Sequence, residues 1–186
     1  LNPGVYHSNE GHAGFLTLEL IDRAIGDGVP SLKAAVAAVT PHVLFTTHTP
    51  VPAGIDRFPR ELMEEYFTSF AKELGVSFDE LFALGERADE PDGKFNMAVM
   101  GLRLAARSNG VAKLHGAVSR QMLQGLWPDL AVGEVPIGSI TNGVHGRTWA
   151  SARVDALLSR VVGEDWPSAD AERWSRVRDI DPMEAW

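Results

Sequence analysis

The sequence has no cysteine. That removes disulfide bridges, thiolate metal sites and cysteine nucleophiles, and it fits a reducing compartment, so the cytoplasm is the expected location. Lysine is scarce as well: of 17 basic residues only Lys33, Lys72, Lys94 and Lys113 are lysines, and they lie far apart. Set against 25 acidic residues this leaves a formal net charge of -8. A nucleic acid or an anionic membrane is gripped by clustered Lys and Arg, so neither is an expected partner. Long apolar runs are missing too, since charge or proline interrupts each well short of the roughly 20 residues a spanning helix needs. There is no basic region ahead of an apolar block in Leu1–His7, hence no signal-peptide pattern. Neither G-x-G-x-x-G nor a P-loop occurs, and Ser8 and Ser119 lack a nucleophile-elbow context. The chain starts at Leu1 rather than Met and stops at Trp186 without a terminal tail pattern, so it reads as cut from a longer protein.

What is present is enough apolar material for a core: 45% of 186 residues are hydrophobic. Val5 and Tyr6 read as the end of a strand, followed by a helix over Gly11–Ile25 with Phe15, Leu18, Ile21 and Ile25 at helical spacing. Leu32, Ala35, Val36 and Val39 mark a second helix that Pro41 ends. His42–Thr47 is β-branched, aromatic and bounded by prolines, which suits a buried strand with His48 at its mouth. Arg60–Leu74 and Ser77–Leu84 are predicted helices, the second opened by Ser77 with Glu80 three residues on and closed by Gly85. Ala88–Lys94 is a charged loop, and Asn96 can cap a helix through Met97, Met100, Leu104 and Ala105. Asn109-Gly110 then reads as a break, Val111–Leu114 as a short strand, Gly116–Leu126 as a helix and Ile137–Ile140 as another strand. Val154, Leu157, Leu158 and Val161 form one more helix closed by Gly163, and a weaker pattern runs through Trp174 and Val177. Strands alternating with helices imply an α/β layer with a parallel sheet, richer in helix than in strand.

Three polar clusters share one placement. His7, Asn9, Glu10 and His12 follow the first strand, His48 follows the second, and Asn142 and His145 follow the last; in parallel sheets ligands bind beyond the carboxyl ends of the strands, so one pocket can gather all three. A zinc site at His7, Glu10 and His12 is the competing chemistry, but the His-Glu-x-x-His spacing is absent and the helix begins between these residues. Capping and loop hydrogen bonds alone also account for them. His48 in TTHTPVPAG is held between a strand and a proline-rich loop, and Asn142-Gly143 is an ordinary turn dipeptide. Lys113 has the chemistry to form a Schiff base or meet a phosphate, yet a solvated lysine is the preferred reading. Met63, Phe67 and Phe70 at helical spacing are core.

The segments YHSNEGHAGF (Tyr6–Phe15), FTTHTPVPAGIDRF (Phe45–Phe58), FNMAVMGLRLA (Phe95–Ala105), NGVAKLHGAVSR (Asn109–Arg120) and ITNGVHGRTW (Ile140–Trp149), taken in order, resemble the α-glucan (glycogen or maltodextrin) phosphorylase family. The HTPVPAG form resembles the bacterial branch. The resemblance implies a helix-rich α/β fragment of a glycosyltransferase-B fold, with 1–142 as the second half of an N-terminal Rossmann-like lobe and 143–186 as the crossover and first helices of the C-terminal lobe. It implies pyridoxal phosphate in the parent enzyme, reversible phosphorolysis of α-1,4-glucan to glucose 1-phosphate, and the remaining C-terminal lobe as partner. By motif, Glu10 and His12 match positions beside the glucose pocket, His48 matches the histidine that contacts glucose, and Val111 and Asn142 match positions lining that pocket. Where many members have Asp-Thr-His-Pro, this chain has Glu10-Gly11-His12-Ala13, which keeps an acid and the histidine but lengthens the acid by one methylene. The cofactor lysine and the basic phosphate motif of the family are not found in this chain, so the fragment alone is expected to be inactive. A nucleotide-sugar glucosyltransferase of the same fold and a stand-alone glucan-binding module stay open as alternatives.

Overall fold

A computed structural model describes residues 3–90 and 92–185; Leu1, Asn2, Trp186 and position 91 in the expected Ala88–Lys94 loop lie outside the described residues. The elements of the first part run β1 (Tyr6–Asn9), α1 (Phe15–Gly26), α2 (Leu32–Val39), β2 (Val43–Thr47), β3 (Arg57–Phe58), α3 (Arg60–Glu73), α4 (Phe78–Phe82), β4 (Phe95–Asn96), α5 (Met97–Arg103), β5 (Arg107–Gly110), α6 (Lys113–Leu123) and β6 (Ile137–Ser139). They belong to one compact unit, Leu1–Thr141, and the second unit is Asn142–Trp186. That unit holds α7 (Gly146–Trp149), α8 (Ala152–Val161), α9 (Ala171–Ser175) and α10 (Pro182–Ala185).

Local chemistry explains several boundaries. The Ser31 hydroxyl accepts the Ala34 N–H at the start of α2. Ser77 and Glu80 close a reciprocal capping box on α4. Asn96 Oδ1 accepts the N–H groups of Ala98 and Val99 at 3.0 and 3.2 Å, so a buried amide starts a helix whose first six residues are all buried. Ser151 and Asp170 do the same for α8 and α9 in the second unit.

Four strands form a parallel sheet in the order β1-β2-β5-β6. The short antiparallel pair β3 and β4 is separate and has no signal in the sequence. Strand residues alternate between faces. Val43 and Phe45 of β2 and Ile137 of β6 turn toward the helices and are at most 2% exposed. Val43 joins Leu18, Ile21, Met63, Phe82, Phe95 and Met97 in one core cluster, whereas Phe45 and Ile137 pack with Ala98, Leu102, Leu123 and Val135 in another. The opposite face carries His7, Asn9, Thr46, Arg107 and Asn109, paired across β1, β2 and β5 by register.

Three expectations are corrected. Asn109-Gly110 is not a break before a strand: it is the end of β5, and Val111 follows the strand. The polar run Arg107–Gly110 has little intrinsic strand preference, but β2 and β6 pair with it on both sides, so tertiary hydrogen bonding overrides propensity. Helix α6 accordingly starts at Lys113, three residues before the expected Gly116, and ends in a 3-10 turn over Gln124–Leu126. His7 and Asn9 lie within β1 instead of after it, because β1 stays paired with β2 as far as Asn9 opposite Thr46. The helix-rich α/β class with a parallel sheet stands.

Candidate functional site

Polar side chains meet where β1, β2 and β5 end. The Glu10 N–H donates to the Thr46 carbonyl at 2.8 Å, which extends the β1–β2 pairing one residue past the strand. Glu10 has φ 68° and ψ 170°, a region glycine enters freely and other residues rarely do. This turn swings its carboxylate back over β2, where Oε2 accepts the backbone N–H of His48 at 2.6 Å. The imidazole of the same His48 is bonded through Nε2 to Asn9 Oδ1 at 2.7 Å. His48 is therefore held at its backbone by one residue and at its ring by the residue before it. The other carboxylate oxygen, Glu10 Oε1, is buried and has no hydrogen-bond partner among the described residues.

A second chain of bonds runs across the strands beside this clamp. His7 Nε2 bonds Thr46 Oγ1 at 2.7 Å, and the Thr46 hydroxyl donates to Asn109 Oδ1 at 3.1 Å. Asn109 Nδ2 in turn donates to the Gly110 carbonyl at 3.2 Å. Past β5 the Val111 N–H donates to His115 Nδ1 at 3.1 Å, which fixes the loop that enters α6. Nδ1 accepts, so Nε2 of His115 carries the proton; it is buried and unbonded.

The sequence-predicted residues fare differently. Glu10 and His48 are brought together, and Val111 is half-buried at the end of the neighbouring strand. His12 lies exposed in the 3-10 turn Gly11–Ala13, and none of these bonds reaches it. Asn142 is exposed and opens the second unit, where the His145 ring bonds Thr148 Oγ1 at 2.6 Å. The zinc alternative has no geometric support: His7 turns to Thr46, Glu10 to His48, and among the described residues no group of three His, Asp or Glu could hold a metal ion. Thr46, Asn109 and His115 are polar residues that the sequence reading does not single out as site members, whereas Asn9 already stands in its first polar cluster. For Asn9, Thr46 and Asn109 the signal is the strand register, which pairs Asn9 with Thr46 and Thr46 with Asn109 and is not written in any one segment.

Gly11 has a packing reason. A Cβ there would stand 3.1 Å from Ala98 N and from Met97 Cβ, at the buried start of α5. The turn that presents Glu10 is thus pressed against the core, and a side chain at Gly11 would require Met97 or Ala98 to shift by a few tenths of an ångström.

The chain is similar to known phosphorylases over its full length. It is 45% identical over 190 residues to a glycogen phosphorylase of Mycobacterium tuberculosis, a match covering 99% of this chain and 22% of that protein. A maltodextrin phosphorylase of Thermococcus litoralis is 36% identical over 188 residues, covering 100% of this chain and 22% of the relative. A glycogen phosphorylase of Aquifex aeolicus is 32% identical over 188 residues, covering 100% of this chain and 27% of its own length. No protein-family model matches the chain. From one end to the other, then, this chain is a homologue of a segment of the glycogen and maltodextrin phosphorylases, spanning about a fifth to a quarter of the length of those relatives.

Proposed function

We propose that this chain supplies part of the sugar pocket of an α-glucan phosphorylase, an enzyme that removes terminal glucose from α-1,4-glucan with inorganic phosphate and releases glucose 1-phosphate. The observation that carries the reading is the Glu10–His48–Asn9 clamp at the strand ends, within a chain 45% identical to a glycogen phosphorylase. Glu10, His12, His48, Val111 and Asn142 are the proposed substrate-binding residues. The parent is proposed to have a glycosyltransferase-B fold, to work in the cytoplasm and to complete the site with its remaining C-terminal lobe.

The chemistry suits a sugar. A hydroxyl both donates and accepts, and an imidazole held by a backbone bond and a ring bond meets it at a fixed angle with little reorganisation. Such a bond strengthens as positive charge develops on the ring during glycosidic cleavage, which is where binding becomes catalysis.

Pyridoxal phosphate would supply proton transfer through its 5′-phosphate in the parent, but the residues of this chain do not fit it. Lys33, Lys72 and Lys113 are exposed, and Lys94 is partly exposed 3.5 Å from Asp92. None sits in the desolvated setting that an imine-forming lysine requires. The proposal therefore places the cofactor on residues outside this chain.

The test is kinetic, in the full-length parent. His48→Ala should lower kcat/KM for phosphorolysis by the loss of one charge-strengthened hydrogen bond, on the order of 1 to 3 kcal/mol, with pyridoxal phosphate content unchanged. Unchanged kinetics would remove His48 from the site. A parent that instead transfers glucose from a nucleotide sugar would favour the glucosyltransferase alternative.

A further inference from the structure

We propose that Asn9 is a positioning residue for His48, fixing its imidazole as the Nε2–H tautomer so that Nδ1 is presented as a bare acceptor for a substrate hydroxyl; this rests on the sugar-pocket reading of His48. Three observations converge. Asn9 Oδ1 lies 2.7 Å from His48 Nε2, and an amide oxygen can only accept, so Nε2 must carry the proton. In the neutral ring the second nitrogen then has a lone pair and no proton. Nδ1 of His48 makes no hydrogen bond among the described residues, so that lone pair is open. The histidine also cannot swing away as a unit, because its backbone N–H is tied to Glu10 Oε2 at 2.6 Å.

The placement of Asn9 follows from the sheet. It is the last residue of β1, paired with Thr46 two positions before His48, and its side chain is on the same face as Thr46. The neighbouring His7 shows the same preference: Thr46 donates its own proton to Asn109, so the Thr46 oxygen must accept from His7 Nε2–H. Two imidazoles on this face are thus held in one tautomer by acceptors on or beside β1 and β2. Asn9 touches neither the sugar nor the phosphate in this account; it acts through His48.

The experiment reads the ring directly. Nitrogen-15 correlation spectra of the 186-residue chain, recorded above about pH 8 so that imidazoles are neutral, should show His48 protonated at Nε2, with an Nε2–H that its bond to Asn9 protects to the extent of exchanging more slowly than that of an unbonded imidazole, although the bond is exposed. Asn9→Leu should lose that protection and populate the second tautomer, while Asn9→Asp, which keeps an acceptor at the same place, should retain both. In the parent enzyme Asn9→Leu should lower kcat/KM roughly three- to tenfold, the worth of one ordered hydrogen bond. A wild-type His48 protonated at Nδ1 would overturn the proposal without any variant, since Asn9 would then be presenting its NH2 group. So would an Nε2–H equally protected in Asn9→Leu. Failure of the underlying reading looks different: it appears as full phosphorolysis by His48→Ala in the parent, a result that no tautomer measurement produces.

Discussion

Substituting Gly116 by alanine isolates the contact that seats α6 on the sheet. A Cβ built at Gly116 falls 2.9 Å from the Gly138 carbonyl oxygen and 2.9 Å from Ser139 Cβ, both in β6. On the other side, a Cβ at Gly110 would fall 2.9 Å from Gly116 N and 3.1 Å from Gly116 Cα. Helix and strands therefore meet at backbone distance, and one obstacle is a carbonyl that cannot rotate aside. Two effects oppose each other. Alanine favours a helix interior over glycine by about 1 kcal/mol. Overpacking a closed contact costs about 1 to 3 kcal/mol, and the upper half of that range applies because backbone must move. The net expectation is a loss of about 1 to 2 kcal/mol. With a urea dependence near 2 kcal/mol per molar, the unfolding midpoint should drop by roughly 0.5 to 1 M. Gly138→Ala is the control, since its Cβ would meet only the Ser108 carbonyl at 3.7 Å. If Gly116→Ala matched or exceeded the control in stability, the close-approach argument would be refuted.

Two further outcomes are expected. Glu80 is held below its ordinary carboxylate range, first by the Ser77 backbone N–H and then by the Ser77 hydroxyl. A depressed pKa contributes stability above the unfolded value that fades as pH falls through the folded one, so the gap in urea midpoint between wild type and Glu80→Gln should close in acid; a gap constant with pH would sink the assignment. The 186-residue chain alone, incubated with pyridoxal phosphate, borohydride, glucan and phosphate, should acquire no stoichiometric lysine-linked cofactor and release no glucose 1-phosphate, and turnover with labelling of Lys113 would refute the placement of the cofactor outside it.

Much of the fold is legible because its signals are local. The period of Leu32–Val39, the Ser77–Glu80 box and the Asn96 cap each require only a few adjacent residues, and the helices appear where those signals place them. β5 is not legible, because Arg-Ser-Asn-Gly becomes a strand only when β2 and β6 offer it partners. Nor is the pair β3 and β4, whose two residues each are joined across 36 positions of sequence. The site divides in the same way. Glu10 and His48 were reachable through motif resemblance, whereas Asn9 as the ring partner depends on the register that sets β1 beside β2.

Glu10 shows how the local and the non-local meet. Among the described residues it is the one non-glycine with positive φ, and a backbone in that region costs about 1 to 3 kcal/mol. Glycine at this position would relieve the cost, so something must hold the glutamate there. Its N–H is taken by Thr46, its carboxylate by the His48 N–H, and the next residue is pressed against Met97 and Ala98. The first and third of these restraints use only backbone or absence of a side chain, and a glycine would satisfy them equally. The second needs a carboxylate. The strain is therefore offset by a bond whose effect falls on His48, and the extra methylene relative to aspartate is compatible with that bond at 2.6 Å while leaving Oε1 buried and unbonded. A strained backbone, an unsatisfied acceptor and a histidine clamped at both ends lie within two adjacent strand ends. Only the carboxylate bond to the His48 N–H distinguishes glutamate from glycine at this position, so the backbone strain is tied to the placement of His48.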